Sequence, residues 1–279
     1  RLPARQYDVQ TAFLLADLPD EIELYITLPS SVKVPKDHIA RLCKSLYGIK
    51  QAPRLFSRKF LASLRDMGWT VIPGTSCVFI LKILKEDTII AMVGVFVDDC
   101  ILAAPRDVAD EFVTTLRKTY GMTDEGTPSF ILGIGVKYNA SGTKLFLSQQ
   151  AYVVELLREF GMQDAKPAPT PEVCHELSKA EALAATDEER EAVKDFPMGR
   201  LVGKLSFLSQ TSRPDIQKAT STLASFLHGY GPKVVTAANR VLRYLRGTFR
   251  MGILYERTAT GPRSRNGTVF YKTYFFADA

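Results

Sequence analysis

The chain has 279 residues, of which 46% are hydrophobic and 24% charged, a composition typical of a globular protein with roughly two domains. No apolar run approaches the ~18–20 residues that a membrane span needs, and the first residues lack the apolar core of a signal peptide. The four cysteines and three histidines are widely dispersed, which argues against a zinc site or a Ser-His-Asp triad.

The net charge of +6 is unevenly distributed. Residues 195–279 carry 13 lysines and arginines against 4 acids, a net charge of +9, whereas residues 1–194 carry 23 against 26, a net charge of −3. A basic C-terminal part suggests a polyanionic partner, most often a nucleic acid, although basic surfaces also occur without one. Composition alone therefore supports a nucleic-acid partner only weakly.

The N-terminal part alternates between strand and helix patterns. Gln6–Leu18 begins as a strand and turns into a short helical pattern, with Asp8 at the junction. Asp8 is either a helix N-cap or a carboxylate at a strand end that faces a cleft. A turn-rich stretch follows, in which IELYITL alternates like a strand. Amphipathic helices are predicted over Pro53–Met67 and Arg106–Tyr120.

Between those helices, Ile89–Ala104 contains two apolar runs of strand length around Asp98 and Asp99. The pattern predicts a hairpin with both acids at its tip. Adjacent carboxylates in so apolar a setting repel each other and lose hydration, unless the tip is exposed or binds a cation. An ordinary Asp-Asp turn is the alternative interpretation. The order of elements predicts an α+β fold with helices on one face of an antiparallel sheet.

The C-terminal part begins with a predicted hairpin over Ser129–Leu147 and a helix over Gln150–Phe160. The proline-rich KPAPTPE predicts a linker or domain boundary. Two helices follow, in MGRLVGKLSFLSQTSRPDIQKATSTLASFLHG and VVTAANRVLRYLRGT. On the last helix, four arginines share one arc of about a third of a turn: Arg240, Arg243, Arg246 and Arg250. A solvated face and contact with phosphates both explain this stripe, and the absence of interspersed acids favours phosphates at least equally.

Seven motifs make the sequence resemble the reverse transcriptases of copia-type (Pseudoviridae-like) long-terminal-repeat retrotransposons. They are YDVQTAFL, KSLYGIKQAPRLF, FVDD, FILGIGV, LSQQAY, TSRPDI and RVLRYLRGT. No single motif is decisive, but seven in the right order are specific, and they cover essentially the whole chain.

The resemblance implies a right-hand polymerase, with a palm followed by a mainly helical thumb and connection region. The expected divisions are a palm over residues 1–137 with the fingers largely missing, the thumb start and linker over 138–171, a helical thumb/connection region over 172–270, and the first strand of a truncated RNase H domain over 271–279. Asp278 matches the first carboxylate of that RNase H domain. Both ends look cut from a longer Pol polyprotein.

The implied activity is RNA-directed DNA synthesis with two Mg²⁺ ions, for which Mn²⁺ is a substitute. Asp8, Asp98 and Asp99 match the palm carboxylates that hold the ions, with Asp99 ranked third, and hard oxygen ligands of this kind suit Mg²⁺. Two divalent ions about 3.5–4 Å apart lower the pKa of the primer hydroxyl and stabilise the leaving pyrophosphate.

Further site residues follow from the same match. Phe13 would lie beneath the nucleotide sugar and exclude a ribose 2′-hydroxyl, although a buried residue on a short helix is its simpler interpretation. The other implied nucleotide-site residues are Thr11, Ala12, Tyr47, Gly48, Lys50 and Gln51. A primer-gripping hairpin is implied at Leu132, Gly133 and Ile134. The arginine stripe would then follow the template–primer backbone.

The implied partners are an RNA template, a DNA primer, their RNA–DNA hybrid, deoxynucleoside triphosphates, and the integrase and RNase H domains of Pol, with no membrane. The implied location is a cytoplasmic virus-like particle, with the nucleus as a second location. Phe96 stands where the family usually has Tyr, and the basic fingers residues that hold the triphosphate would precede residue 1. We therefore expect the segment alone to be weak or inactive. The alternative is an inactive retroelement remnant that only binds nucleic acid or a partner.

Overall fold

The structure is a computed structural model that describes residues 2–29, 31–32, 35, 38–83, 88–172, 182–184, 186–257 and 271–277. The chain forms two compact units, Arg1–Pro128 and Ser129–Ala279, and each has its own hydrophobic core. Helices pack with antiparallel sheets in both, which confirms the predicted α+β class at that level. No helix among the described residues is long and apolar enough to cross a membrane.

The first unit is built on a six-stranded antiparallel sheet and two helices. Its strands are β1 (Ala4–Gln10), β2 (Tyr25–Ile26), β3 (Ala40–Arg41), β4 (Thr70–Val71), β5 (Val78–Ile83), β6 (Thr88–Phe96), β7 (Asp99–Ala103) and β8 (Gly121–Gly126). Its helices are α1 (Ala52–Asp66) and α2 (Arg106–Leu116), and a 3₁₀ turn covers Ala12–Leu15. The sheet order is β4-β5-β6-β7-β1-β8, and β2 pairs separately with β3. Only two residues of the predicted strand IELYITL are therefore in a strand.

Helix α1 lies where its apolar spacing predicts it. Phe56, Phe60 and Leu64 recur at intervals of four residues and are at most 1% exposed, so that each contributes roughly 2–3 kcal/mol of apolar burial. The rings of Phe56 and Phe60 stack with centroids 5.6 Å apart. Strand β1 alternates in the same core, because Tyr7 and Val9 are buried while the residue between them faces away. One face of the sheet is therefore fixed as the helix-covered face.

The second unit combines a five-stranded antiparallel sheet with five helices among the described residues. Its strands are β9 (Phe130–Ile131), β10 (Ile134–Tyr138), β11 (Lys144–Ser148), β12 (Met251–Arg257) and β13 (Tyr271–Ala277), in the order β13-β12-β11-β10-β9. Its helices are α3 (Gln150–Glu159), α4 (Asp187–Val193), α5 (Met198–Thr211), α6 (Gln217–Ser225) and α7 (Pro232–Gly247). The predicted hairpin is confirmed as β10 and β11.

The first of the two predicted C-terminal helices is in fact two helices. Helix α5 ends at Thr211, a 3₁₀ turn covers Pro214–Ile216, and α6 begins at Gln217. The prediction of one helix was wrong because Pro214 lacks a backbone N–H and disfavours helical geometry in the residue before it. Arg213 accordingly has φ −128° and ψ 60°.

The segment Lys166–Glu172, predicted as a linker, packs on α7 within the second unit. Ala168 is 5% exposed, and its backbone N–H donates to the Arg243 carbonyl at 3.2 Å. The predicted divisions near residues 137 and 171 concern polymerase subdomains and stay predictions.

A buried arginine ties the break between α5 and α6 to the end of α7. Arg213 is 1% exposed and forms an ion pair with Asp215 at 2.9 Å. Its Nη1 donates to the Thr248 carbonyl at 2.9 Å, and Nη2 donates to the Thr248 hydroxyl at 2.6 Å. The Tyr244 hydroxyl donates to the same Asp215 carboxylate at 2.7 Å. This network joins the break between α5 and α6 to the C-terminal end of α7 through one side chain.

Replacement of Arg213 by Leu should destabilise the second unit by about 3–5 kcal/mol, because it leaves Asp215 and Thr248 without their partner. Hydrogen exchange of α7 amides measures this unit by itself. Arg190→Leu is the matched control, since the Arg190–Asp187 pair is exposed and its loss should cost less than ~1 kcal/mol. Equal protection of the α7 amides from hydrogen exchange in the two variants would contradict a large contribution of the Arg213 network to stability.

Candidate active site

Backbone pairing brings the three predicted carboxylates together at one end of the first sheet. Strands β1 and β7 are antiparallel with Asp8 opposite Asp99, and the Val9 N–H donates to the Asp98 carbonyl at 2.8 Å. This bond makes Val9 and Asp98 a hydrogen-bonded pair, so Asp8 and Asp99 form the neighbouring non-hydrogen-bonded pair. The Cα atoms of such a pair lie only about 4.5 Å apart.

The acids lie on the predicted hairpin, which the structure confirms as β6 and β7. Phe96 pairs with Asp99, so Val97 and Asp98 form a two-residue loop. Val97 has φ 57°, and a positive φ at the first loop position alone is typical of a type II′ turn. Asp98 is exposed at the tip, and Asp99 is half-buried as the first residue of β7. A β-branched residue with a positive φ stores about 1–3 kcal/mol of strain, so this turn is not simply the most stable one.

The carboxylates interact electrostatically. Burial, followed by the charges of Asp98 and Asp99, raises the pKa of Asp8 above its ordinary value. Cys100 lies directly after the pair, and burial together with the three acids raises the pKa of its thiol to about 12. The thiol therefore stays neutral, and the excess negative charge of the cluster is available to a cation.

The acids do not form a closed metal cage. Among the residues that the structure describes, no three His, Cys, Asp or Glu side chains are grouped so that they could hold a metal ion. Asp8 and Asp99 are nevertheless cross-strand partners, and Asp98 directly precedes Asp99. An open set of carboxylates suits Mg²⁺, which is held by one or two protein carboxylates together with water and substrate phosphates. The three acids therefore do not form a preformed metal site, and binding of a shared ion by them stays a prediction.

Gln6 belongs to this cluster, and the sequence analysis missed it. It lies two residues before Asp8 on the same face of β1 and is 7% exposed. Its Nε2 donates to Asp99 Oδ1 at a long 3.4 Å. The period of two along the strand was the signal that could have identified it.

The predicted nucleotide-site residues come from two segments that the structure brings together. Thr11 has φ 51° and precedes the 3₁₀ turn that carries Phe13, and Ala12 is buried. The Phe13 and Tyr47 rings lie with centroids 4.9 Å apart. Gly48 has φ 96°, a left-handed conformation that favours glycine. The remaining two residues, Lys50 and Gln51, are exposed just before α1.

The predicted primer-gripping residues form a tight turn in the second unit. Ile131 pairs with Ile134, where β10 begins, so Leu132 and Gly133 make a two-residue loop with φ 49° and 81°. Two positive φ values are typical of a type I′ turn, which favours Asn-Gly. Leu132 is therefore strained, and it is 45% exposed. Gly133 lies against the ring of Phe207 on α5, close enough that a Cβ would be 3.5 Å from it.

The arginine stripe on α7 has contacts that the sequence did not predict. Arg243 Nε donates to the Lys166 carbonyl at 2.7 Å and Arg246 Nε donates to the Gln163 carbonyl. Arg240 Nη2 donates to the Thr170 hydroxyl at 2.9 Å. Three arginines therefore hold segment 163–170 on α7. The predicted four-arginine stripe is wrong at its end, because α7 ends at Gly247 and Arg250 lies beyond the helix. The Arg250 side chain is exposed and lies over the Phe249 ring at 5.3 Å, and contact of these arginines with phosphates stays a prediction.

Asp278, the predicted RNase H carboxylate, lies outside the described residues. The strand before it, β13, pairs antiparallel with β12. Met251 lies opposite Ala277 at one end of the pairing, and Arg257 lies opposite Tyr271 at the other.

Comparison with known proteins gives consistent matches. A family described as reverse transcriptase (RNA-dependent DNA polymerase) matches residues 2–174. The retrovirus-related Pol polyprotein from transposon TNT 1-94 of Nicotiana tabacum is 33% identical over 250 residues, which are 88% of this chain and 18% of that protein. The putative transposon Ty5-1 protein of Saccharomyces cerevisiae is 31% identical over 253 residues, 89% of this chain and 78% of that protein.

The retrovirus-related Pol polyprotein from transposon RE1 of Arabidopsis thaliana also matches, with 31% identity over 92% of this chain and 17% of that protein. This chain thus spans less than a fifth of the plant polyproteins. A foamy viral protease-reverse transcriptase in complex with RNA/DNA hybrid aligns with 98% of this chain and 33% of its own chain, at a TM-score of 0.41 and 10% identity.

Replacement of Asp8 by Asn should stabilise the first unit at pH 7. The pKa of Asp8 is raised on folding, so its contribution to stability is present at low pH and is lost as pH rises through the folded pKa. The gain in Asp8→Asn should therefore shrink as pH falls through the folded pKa, and it should vanish below the ordinary Asp pKa of about 3.9. The fluorescence of Trp69, the single tryptophan, measures unfolding of this unit.

Asp124→Asn is a control of opposite sign. Burial alone would raise the pKa of Asp124, but hydrogen bonds from Arg5 and Gly126 together with the charge of Arg5 lower it. Its loss should therefore destabilise the unit at pH 7, and the effect should fade as pH falls through the folded pKa. A change of stability in the same direction in both variants at pH 7 would contradict the opposite pKa shifts of Asp8 and Asp124.

Proposed function

Because the chain belongs to the copia-type reverse transcriptases of long-terminal-repeat retrotransposons, we propose that it is the RNA-directed DNA polymerase segment of a Pol polyprotein. The observation that carries the proposal is the register that sets Asp8 opposite Asp99 at the Asp98 hairpin tip. Phosphoryl transfer between nucleic-acid strands needs carboxylates that can share metal ions with a phosphate. In this proposal the first unit contains the main part of the palm, and the second contains the end of the palm, from Ser129 to Lys137, followed by the thumb and connection.

The proposed reaction forms one bond and breaks one. A primer 3′-oxygen attacks the α-phosphate of a deoxynucleoside triphosphate, its proton is lost, and pyrophosphate leaves. Asp8, Asp98 and Asp99 would hold Mg²⁺, or Mn²⁺ in its place, and the bound ions would stabilise charge on the attacking and leaving oxygens. The raised pKa of Asp8 supports the assignment, since perturbed acids concentrate at functional sites. Gln6 would orient Asp99.

The nucleotide would lie between the acids and the aromatic pair Phe13–Tyr47. Phe13 would meet the sugar where a ribose carries its 2′-hydroxyl, and so favour deoxynucleotides. Backbone amides near Thr11 and Ala12 would face the triphosphate, and the exposed Lys50 and Gln51 would lie near the templating base. These assignments rest on the contact between the Phe13 and Tyr47 rings and on the exposure of the residues before α1.

The proposed partners are an RNA template, a DNA primer and their hybrid, together with the integrase and RNase H parts of Pol. The proposed location is a cytoplasmic virus-like particle, with the nucleus as a second location. The stripe on α7 would contact the nucleic-acid backbone through the guanidinium nitrogens that segment 163–170 leaves free, and the exposed Arg250 would do so directly.

Primer extension on an RNA template with Mg²⁺ and deoxynucleotides tests the proposal. We expect extension by a longer form of the Pol polyprotein that contains this chain. Asp98→Asn in the longer form should lose at least about a hundredfold in rate, as when a main electrostatic group of an active site is removed. Asp66→Asn, an exposed acid on α1, is the matched control and should extend normally.

No extension in any form, with salt-dependent duplex binding that persists in a variant with Asp8, Asp98 and Asp99 all changed to Asn, would overturn the polymerase proposal. It would favour a remnant that only binds nucleic acid.

The strained turn at Leu132 gives a separate test of the primer grip. Leu132→Asn should stabilise the second unit by about 1 kcal/mol, because Asn tolerates a positive φ better than Leu. If the exposed leucine grips the primer, extension by the longer form should fall in the same variant. Unchanged extension in the more stable protein would contradict a role of Leu132 in the grip.

A further inference from the structure

Lys59 on α1 is bonded to the turn that carries Phe13. Its Nζ donates to the Leu15 carbonyl at 2.7 Å and to Asp17 Oδ2 at 3.0 Å. Leu15 is the last residue of that turn, and the final carbonyls of a helical turn have no partner within it. Lys59 therefore caps the turn from another element, as lysines near helix C-termini do.

The same helix contacts the middle of the turn. The Phe13 ring lies edge-on to Phe56, with centroids 6.4 Å apart, and Phe56 is three residues before Lys59, on a neighbouring part of the helix surface. Ala12, the first residue of the turn, and Ala16, the residue after it, are each 1% exposed. Helix α1 thus fixes the turn at two points, through a ring at its middle and an ammonium group at its end.

The residues after the turn are bonded to the segment that leads to Tyr47. Ser45 N–H donates to the Ala16 carbonyl at 2.8 Å, and Leu18 N–H donates to the Cys43 carbonyl at 3.1 Å. A displacement of Leu15–Asp17 would therefore be transmitted to both Phe13 and Tyr47. The contact of Lys59 with Leu15 lies where these connections meet.

We propose that Lys59 is a positioning residue that sets the position of Phe13 and thereby the discrimination between deoxyribonucleotides and ribonucleotides. The inference rests on the proposed function, in which Phe13 lies beneath the sugar. A steric filter depends on distance, and a displacement of about 1 Å at such a site changes rates by up to ~10²-fold. The contact with Leu15 carries this role rather than the ion pair, because the Asp17 side chain is 67% exposed and such pairs contribute little.

The test is the ratio of kcat/KM for a deoxynucleoside triphosphate to that for the matching ribonucleoside triphosphate, measured in the longer form. Lys59→Met keeps the length of the side chain but removes the donor, and we expect the ratio to fall by roughly tenfold, mainly through better use of the ribonucleotide. Lys59→Arg keeps a donor and should restore most of the discrimination. Phe13→Ala gives the lower limit of the ratio.

Two controls separate positioning from general stability. Asp17→Asn leaves the bond to Leu15 in place, and Arg58→Met changes the exposed neighbour on α1. Both should keep the wild-type ratio. If Lys59→Met fails to fold, Lys59→Gln takes its place. Its side chain is shorter and should not reach the Leu15 carbonyl, so we expect the same fall in the ratio.

The outcomes distinguish failure of the Lys59 proposal from failure of the polymerase proposal. An active Lys59 variant that uses both nucleotides less well by the same factor would overturn this inference and leave the polymerase assignment intact. A longer wild-type form that extends no primer would overturn the assignment and this inference with it.

Discussion

The antiparallel register of β1 against β7 places Asp8 opposite Asp99 and buries Tyr7 and Val9 under the helices. Side chains alternate with a period of two, so a slip of one residue would turn the acid into the core and the core residues outward. The apolar core therefore fixes the position of the carboxylates. Stability of the first unit and the geometry of its proposed chemistry are specified by a single pairing.

Local preferences are violated at or beside the residues assigned to function. Asp8 is an acid half-buried beside two other acids, and Val97 and Leu132 have positive φ values that glycine or asparagine would adopt with less strain. The buried stripe of α1, by contrast, follows its sequence pattern. Departures of this kind are expected where function opposes stability.

Much of the fold could be predicted from periodicity, and the central hairpin and the long helices lie close to the predicted positions. The ordered motifs identified the family, which the comparisons confirmed. The sequence could not predict contacts between distant residues: Lys59 with a carbonyl 44 residues away, or Arg243 with one 77 residues away. A cationic side chain that donates to a backbone carbonyl leaves no charge pattern in the sequence, because every residue has such a carbonyl. The stripe on α7 therefore resembled a phosphate-binding surface, and its internal contacts were visible only in the structure.

The left-handed backbone at Leu132 has a consequence for the mutations that copies of such an element can tolerate. A retroelement is copied into many genomic positions, and only copies that still synthesise DNA are selected for that ability. In a silent copy, a mutation to a residue that relaxes the turn improves folding and removes nothing that selection still protects. A relaxed residue at this turn, or an amide in place of the half-buried acid on β1, should therefore be tolerated in a silent copy and rejected in one that must still synthesise DNA. The residues at these two positions would then indicate whether a copy still depends on the proposed chemistry.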